Sequence, residues 1–191
     1  MDQITVSHHG KGLIDITEPL AENINEVARS SGKEIGEITI AILERDRNQH
    51  YIDAARAVNA RVVLFEHGTV SHGLAPALKH WDIDMMVGSG GAPEAVITAA
   101  GLKCLGGDIQ AILKPHNDEM LKKALDKGMK LETVYGLNDL VKSDALFVAT
   151  GVSPSPILKG VAFERDEIIT HSVVMESESR LYRLIESHYG I

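Results

Sequence analysis

Residues 84–107, "DMMVGSGGAPEAVITAAGLKCLGG", contain the spacing in this chain best suited to chemistry. An apolar run ends at Gly88, Gly90 and Gly91, and an alanine-rich stretch follows at once. A strand that ends in glycines and feeds a helix offers bare backbone N–H groups at the positive end of the helix dipole. Without a Cβ, the backbone there can approach an anion closely. Glu94 falls in the first turn of the expected helix and has two readings. It can simply complement the dipole, or it can hold a divalent cation that bridges to phosphate oxygens. A dinucleotide fingerprint needs Gly-x-Gly-x-x-Gly, but Pro93 stands in the sixth place and the next strand runs into Lys114 rather than an acidic residue.

The elements that must position this knot alternate short β-branched runs with helical stretches. The pattern predicts helices over 18–32, 49–60, 92–105 and 117–128, and a weaker one through 70–80, where Gly73 and Pro76 intervene. Strands are expected over 37–43, 61–65, 83–87, 108–113 and 144–150, with an opening strand at "GLIDIT", 12–17. Pro93 near the first turn and Gly106–Gly107 at the end frame the helix behind the knot in the asymmetry helices favour. Beyond residue 150 a loop-rich stretch precedes two strands or a closing hairpin over 167–190. Repeated βαβ units with non-alternating strands imply an α/β layered sandwich with a mainly parallel sheet, and 1–191 reads as a single domain.

The chain has 191 residues, 44% of them hydrophobic, and a net charge of −8. That balance argues against nucleic acid or an anionic membrane surface as partner. No run approaches a membrane span, and the N-terminus lacks the order of a secretory signal, so a cytoplasmic location is expected. One cysteine, Cys104, excludes an internal disulfide and reads as a buried structural thiol in a reducing compartment. His8, His9, His80, His116 and His171 show no partner pattern, while Met85, Met86 and Trp81 read as core or rim. His67, His72, Asp46 and Glu66 are conceivable metal ligands, although two histidines five apart do not share a helix face.

The knot segment "GSGGAPEAVITAAGLKCLGGDIQAIL", with "DALFVATGVSPSPILKGV" downstream, resembles the class II fructose-1,6-bisphosphatases, a bacterial family that also includes sedoheptulose-1,7-bisphosphatases. The similarity continues through "LAENINEVARSSGKEIGEITIAILERDR" and "SRLYRLIESHY", covering nearly the whole chain. It implies metal-assisted hydrolysis of a sugar bisphosphate in carbohydrate metabolism, with Mg²⁺ or Mn²⁺ as cofactor. Residue by residue, it implies Glu94 as a metal ligand and Gly90 and Gly91 as contacts to phosphate or sugar. Arg45 and Arg47 fall on the family's Arg-Pro-Arg-His as phosphate donors, with Asn48 in place of the histidine. Gly68 falls on the turn glycine of Asp-Gly-Asp, whose carboxylates are here His67 and Thr69. The chain resembles the family's C-terminal portion: the Gly-Glu-Gly-Glu and Asp-Pro-x-Glu-Gly-Thr strings that carry most metal-binding carboxylates do not occur in it. One carboxylate cannot assemble a Mg²⁺ or Mn²⁺ site. Two expectations follow. The chain works with a separately encoded N-terminal half, or it is a non-catalytic sugar-phosphate-binding or interaction protein. A sheet without its partner layer would also favour a homo-oligomer.

Overall fold

The computed structural model describes residues 1–115 and 117–191, so the reading of His116 falls outside the described residues. Strand β1 (Asp2–Val6) precedes the expected opening strand, and 12–17 form turns and coil instead. That segment is held in place by side chains from a distant strand: Asp108 Oδ2 accepts from the Gly12 N–H and Gln110 Oε1 from the Ile16 N–H, each at 2.9 Å. The polar Asp2, Gln3 and Thr5 concealed β1, because a buried strand normally reads as an unbroken apolar run.

The chain continues through α1 (Leu20–Ser31), β2 (Thr39–Leu43), α2 (Gln49–Ala57), β3 (Arg61–Phe65) and α3 (Thr69–Leu74). Then come β4 (Met85–Ser89), α4 (Ala92–Leu105), β5 (Asp108–Ile112), α5 (Asp118–Asp126), β6 (Val134–Gly136) and α6 (Leu137–Leu140). Among the described residues these strands form a six-stranded sheet in the order β3-β2-β4-β1-β5-β6. Strand β2 is parallel to β3 and β4, β1 is antiparallel to β4 and β5, and β6 is antiparallel to β5. Four of the six strands therefore share one direction, with β1 inserted against them. A second, antiparallel sheet joins β7 (Leu146–Thr150), β8 (Ala162–Phe163), β9 (Glu167–Glu176) and β10 (Tyr182–Gly190). The expected hairpin is β9–β10.

Helices cover both faces of the large sheet, as an α/β class requires. Ile24 and Val27 of α1, with Ile52 and Ala55 of α2, pack on Ile4, Val6, Ile40 and Ile42. On the opposite face, Leu74 of α3 and Ala99 and Leu102 of α4 pack on Ile109, and the same cluster reaches Phe147, Val173 and Met175 of the second sheet. The layers thus run helix, sheet, helix, sheet. Helix α4 is apolar nearly all round because both sheets sandwich it. Met85 and Met86 are fully buried and Trp81 stands exposed at the rim. No helix among the described residues is long and apolar enough to cross a membrane.

Candidate functional site at the carboxyl edge of the sheet

Because β2, β4 and β5 point the same way, their carboxyl ends meet at one edge, where β1 also begins. Ligands of α/β sheets bind at this edge. The knot leaves β4 there. Gly91 is the N-cap of the 14-residue α4, Pro93 lies in its first turn, and Gly106 closes the helix in the left-handed conformation at φ 78°. The boundaries of α4 coincide with the sequence expectation.

The glycines are explained by close approach. A Cβ on Gly90 would meet Thr69 Cγ2 at 3.2 Å and Gln3 Nε2 at 3.3 Å. On Gly91 it would run into the carboxylate of Glu94, which folds back over the knot. Glu94 and Gly91 are both exposed, so the carboxylate and the adjacent backbone face solvent. Gly90 is fastened from the other side: its N–H donates to the Met1 carbonyl at 2.9 Å, and the Met1 ammonium donates to the Gly90 carbonyl at 2.6 Å.

Two residues after β2 complete the edge. Arg47 donates from Nε and Nη2 to the Ser89 carbonyl, at 3.1 and 2.9 Å, which holds its guanidinium beside the knot. Asn48 is fully buried and clips the two strand ends together. Its Nδ2 donates to the Leu43 carbonyl and its Oδ1 accepts from the Ser89 N–H, both at 2.8 Å. Sequence reasoning registered Asn48 only as a departure from the family pattern; its structural role needed the distance between strand ends.

Asp2, behind the knot, is a buried carboxylate paired with Lys114 at 2.9 Å and accepting from the Tyr51 hydroxyl at 3.3 Å. Burial alone would raise the Asp2 carboxyl, but hydrogen bonds from Lys114 and Ser89 and the charge of Lys114 outweigh it and hold the group below its ordinary value. Burial first, then the Asp2 charge, pushes the Tyr51 hydroxyl well above the ordinary tyrosine value. Gln3 is fully buried, and its amide has no hydrogen-bond partner among the described residues. None of Asp2, Tyr51, Lys114 or Gln3 carried a signal in the sequence, because only the inserted β1 brings them together.

The structure thus gathers Arg47, Gly90, Gly91 and Glu94 and turns Arg45 away, while Gly68 borders the knot through the next residue, Thr69, whose side chain faces Gly90. Arg45 turns to the neighbouring strand ends, donating to the Glu44 and Glu66 carbonyls at 2.6 and 2.8 Å, and lines a separate polar hollow with Asp46 and Arg56. Gly68, at φ 83°, caps α3, and its carbonyl accepts from Ser71 Oγ and the His72 N–H and faces His72 Nδ1 at 2.9 Å. His72 stacks on Phe65 with ring centroids 3.8 Å apart, and burial pushes its pKa down. His67 stays exposed beside Glu66. Among the described residues no three of His, Cys, Asp and Glu converge as a metal site; of the two carboxylates at this edge, Glu94 is exposed and Asp2 is buried and paired with Lys114.

Fold and site together define a layered α/β protein with an open glycine knot at the carboxyl edge of a mixed sheet. A profile of the family described as "Bacterial fructose-1,6-bisphosphatase, glpX-encoded" matches residues 1–189, and the chain belongs to that family. It is 31% identical to a class 2 fructose-1,6-bisphosphatase of Haemophilus influenzae over 204 aligned positions. It is 29% identical to fructose-1,6-bisphosphatase 1 class 2 of Escherichia coli K12 over the same length. In both cases the match takes in 99% of this chain and 61% of the relative. The chain spans less than two thirds of those relatives and corresponds to their C-terminal part.

Proposed function

We propose that this chain forms the sugar-phosphate-gripping part of a fructose-1,6-bisphosphatase-type enzyme and hydrolyses its substrate only with carboxylates beyond those of these 191 residues. The observation that carries the reading is the joint exposure of the Gly91 backbone and the Glu94 carboxylate beside Arg47, in a chain that matches the bisphosphatase family over residues 1–189. In this reading Gly90, Gly91 and Arg47 hold one phosphate of the sugar. Arg45 and Gly68, a strand further along the edge, face the rest of the substrate. Glu94 is this chain's contribution to a Mg²⁺ or Mn²⁺ site. One carboxylate does not fit such an ion, which takes several oxygen ligands, so the residues present do not make a resident metal site by themselves.

One feature supports a covering partner. On the second sheet Phe147 is buried against α4, while Leu146 and Val148, on the opposite face of the same strand, are 66% and 59% exposed. A row of this kind normally lies under another layer. A separately encoded N-terminal half, and association of copies into a homo-oligomer, are the two coverings proposed. The lone buried Cys104 supports a cytoplasmic setting. Continuity of α4 with both sheets supports treating 1–191 as one domain.

The test is phosphate release from fructose-1,6-bisphosphate with Mg²⁺ or Mn²⁺. The purified chain is assayed alone and mixed with a polypeptide carrying the N-terminal region of the Haemophilus influenzae relative. The expected result is no turnover alone, turnover in the mixture, and loss of that turnover in Glu94→Gln. Turnover indifferent to Glu94→Gln, or a wild-type chain that neither turns over nor binds the sugar bisphosphate in the mixture, overturns the reading.

A further inference from the structure

The small sheet ends on a long, unguarded edge. Among the described residues β10 pairs with β9 alone, and its register runs unbroken from Tyr182 opposite Met175 to Gly190 opposite Glu167. The free edges of the large sheet are shorter, five residues in β3 and three in β6. Exposed edges are commonly blunted by proline, lysine or a bulge, and the nine-residue β10 has none of these. Leu184 and Tyr189 stand 60% and 56% exposed on it, one on each face.

The phase of the ladder fixes which backbone groups this edge offers. The Glu176 N–H donates to the Leu181 carbonyl at 3.0 Å, and the Ile191 N–H to the Asp166 carbonyl at 3.1 Å. Both pairs continue the β9–β10 register, so Leu181 and Ile191 turn their polar groups to β9. In an antiparallel ladder that orientation alternates along the strand. Arg183, Ile185, Ser187 and Tyr189 therefore bond β9 as well. Leu184, Glu186, His188 and Gly190 turn their N–H and C=O groups outward to the free edge.

Charge then selects what can pair there. Glu167, His188, Glu186 and His171 form a row of alternating acid and base on one face of the hairpin, with contacts of 2.8, 3.1 and 3.4 Å. Lys159 lies 4.0 Å from Glu186. A second β10 laid antiparallel about a two-fold axis faces each residue with the one equally far beyond the axis. An axis at Glu186 opposes two glutamates, and one at His188 opposes two histidines. Axes at Leu184 and Ile185 set Glu186 against Tyr182 or Leu184. An axis at Ser187 sets Glu186 of one copy against His188 of the other, twice by symmetry. The same register brings Ile185 against Tyr189 on the opposite face, an aliphatic–aromatic cross-strand pair. Its hydrogen-bonded pairs, 186 with 188 and 184 with 190, use only the outward groups.

We infer that β10 is a self-pairing edge: two copies of this chain join antiparallel about Ser187 into one continuous sheet, with Glu186 of each opposite His188 of the other. This rests on the association of copies proposed above and adds to it the edge, the register and the charge pairing.

Sedimentation equilibrium of the full chain tests it. The pH is 6, where hydrogen bonds from His188 to Glu167 and then Glu186 raise its pKa and keep it cationic. Wild type is expected to dimerise in the micromolar range. Glu186→Lys and His188→Glu should each weaken the dimer by about tenfold or more, because two symmetric pairs turn from attractive to repulsive. Mixed in equal amounts, the two variants should dimerise again: the new lysine of one faces the new glutamate of the other, and the remaining histidine faces the remaining glutamate. Leu184→Pro removes an outward N–H that the β9 ladder does not use, so it should break the dimer and keep the far-ultraviolet spectrum. In wild type, raising the concentration should slow amide exchange more at Leu184, Glu186 and His188 than at Ile185 and Ser187, a reading that needs no variant. A monomeric wild type overturns this inference and the association of copies together. A dimer indifferent to the charge variants and to Leu184→Pro, a mixture that restores nothing, or outward amides no slower than their neighbours overturns this inference alone and leaves association through another surface.

Discussion

Replacing Asn48 with alanine tests whether the carboxyl edge is held by one buried amide. Asn48 is fully inaccessible and joins the Leu43 carbonyl to the Ser89 N–H through two 2.8 Å hydrogen bonds. Truncation leaves both backbone groups buried and unpaired, each costing about 1–3 kcal/mol. The vacated volume adds little if the strand ends relax, so the sum is about 2–6 kcal/mol. With a urea slope of roughly 2 kcal/mol/M, the midpoint should fall by about 1–3 M, read by circular dichroism at 25 °C. Asn48→Asp sharpens the test. The aspartate keeps the acceptor for Ser89 but turns an oxygen toward the Leu43 carbonyl and buries a charge. Protonation would restore a donor at that place, so this variant should be less impaired, relative to wild type, at pH 4.5 than at pH 7. An Asn48→Ala midpoint within about 0.2 M of wild type, roughly 0.4 kcal/mol by the same slope and a fifth or less of the expected loss, would refute the reasoning. So would an Asn48→Asp deficit that does not change with pH.

Gly101, inside α4, should resist the usual gain from Gly→Ala in a helix. A Cβ there would meet Leu74 Cδ2 at 2.6 Å and Leu74 Cδ1 at 2.8 Å, so Gly101→Ala should lower the thermal midpoint through overpacking of about 1–3 kcal/mol. His188 lies between Glu167 and Glu186, at 2.8 and 3.1 Å, and its hydrogen bond to Glu167, then that to Glu186, raises its pKa above the ordinary 6.5. A raised folded-state pKa gives a contribution that is complete below 6.5 and is lost as pH climbs through the folded value. Amide exchange in the β9–β10 hairpin, corrected for intrinsic rates, should therefore show more protection at pH 6 than at pH 8, and Glu167→Gln should shrink the difference. Cys104 is buried, with its Sγ 3.5 Å from the Ala145 carbonyl, and burial raises its thiol pKa. Iodoacetamide should modify it slowly in the native chain and quickly in urea; equal rates would contradict its placement.

What the sequence disclosed divides along physical lines. Helix α4 carries its own punctuation, Pro93 at the start and Gly106 at the end, and its limits follow from local chemistry. Strand β2, buried between neighbours, and strand β3, the half-exposed edge of the sheet, are short runs rich in β-branched residues, and they too fall where the pattern places them. Strand β1 escaped because Asp2, Gln3 and Thr5 imitate a polar loop, yet tertiary contacts bury all three. Strand β6 and helix α6 are three and four residues long, too short for periodicity to declare them. For the site, the glycine knot and Glu94 follow from the rule that strands ending in glycine feed helix N-termini. The separation of Arg45 from Arg47 does not. Two residues apart on an irregular turn, they point to different strand ends, and only the fold decides which faces the knot. The cations and methionines that line the hollow beside the knot come from 47, 114 and 120–129, distances across which a single sequence carries no proximity information.

The insertion of β1 between β4 and β5 also fixes an order of events for the growing chain. Residues 2–6 find their pairing partners only at 85–89 and 108–112. They must wait through most of a hundred residues of synthesis before either ladder can form. Closing such distant pairings is entropically slow, so the middle of the sheet zips after its β2–β3 flank has assembled. The carboxyl edge, fastened by Gly90 to the start of β1, is then complete only when residues 2–6 dock between strands made long after them.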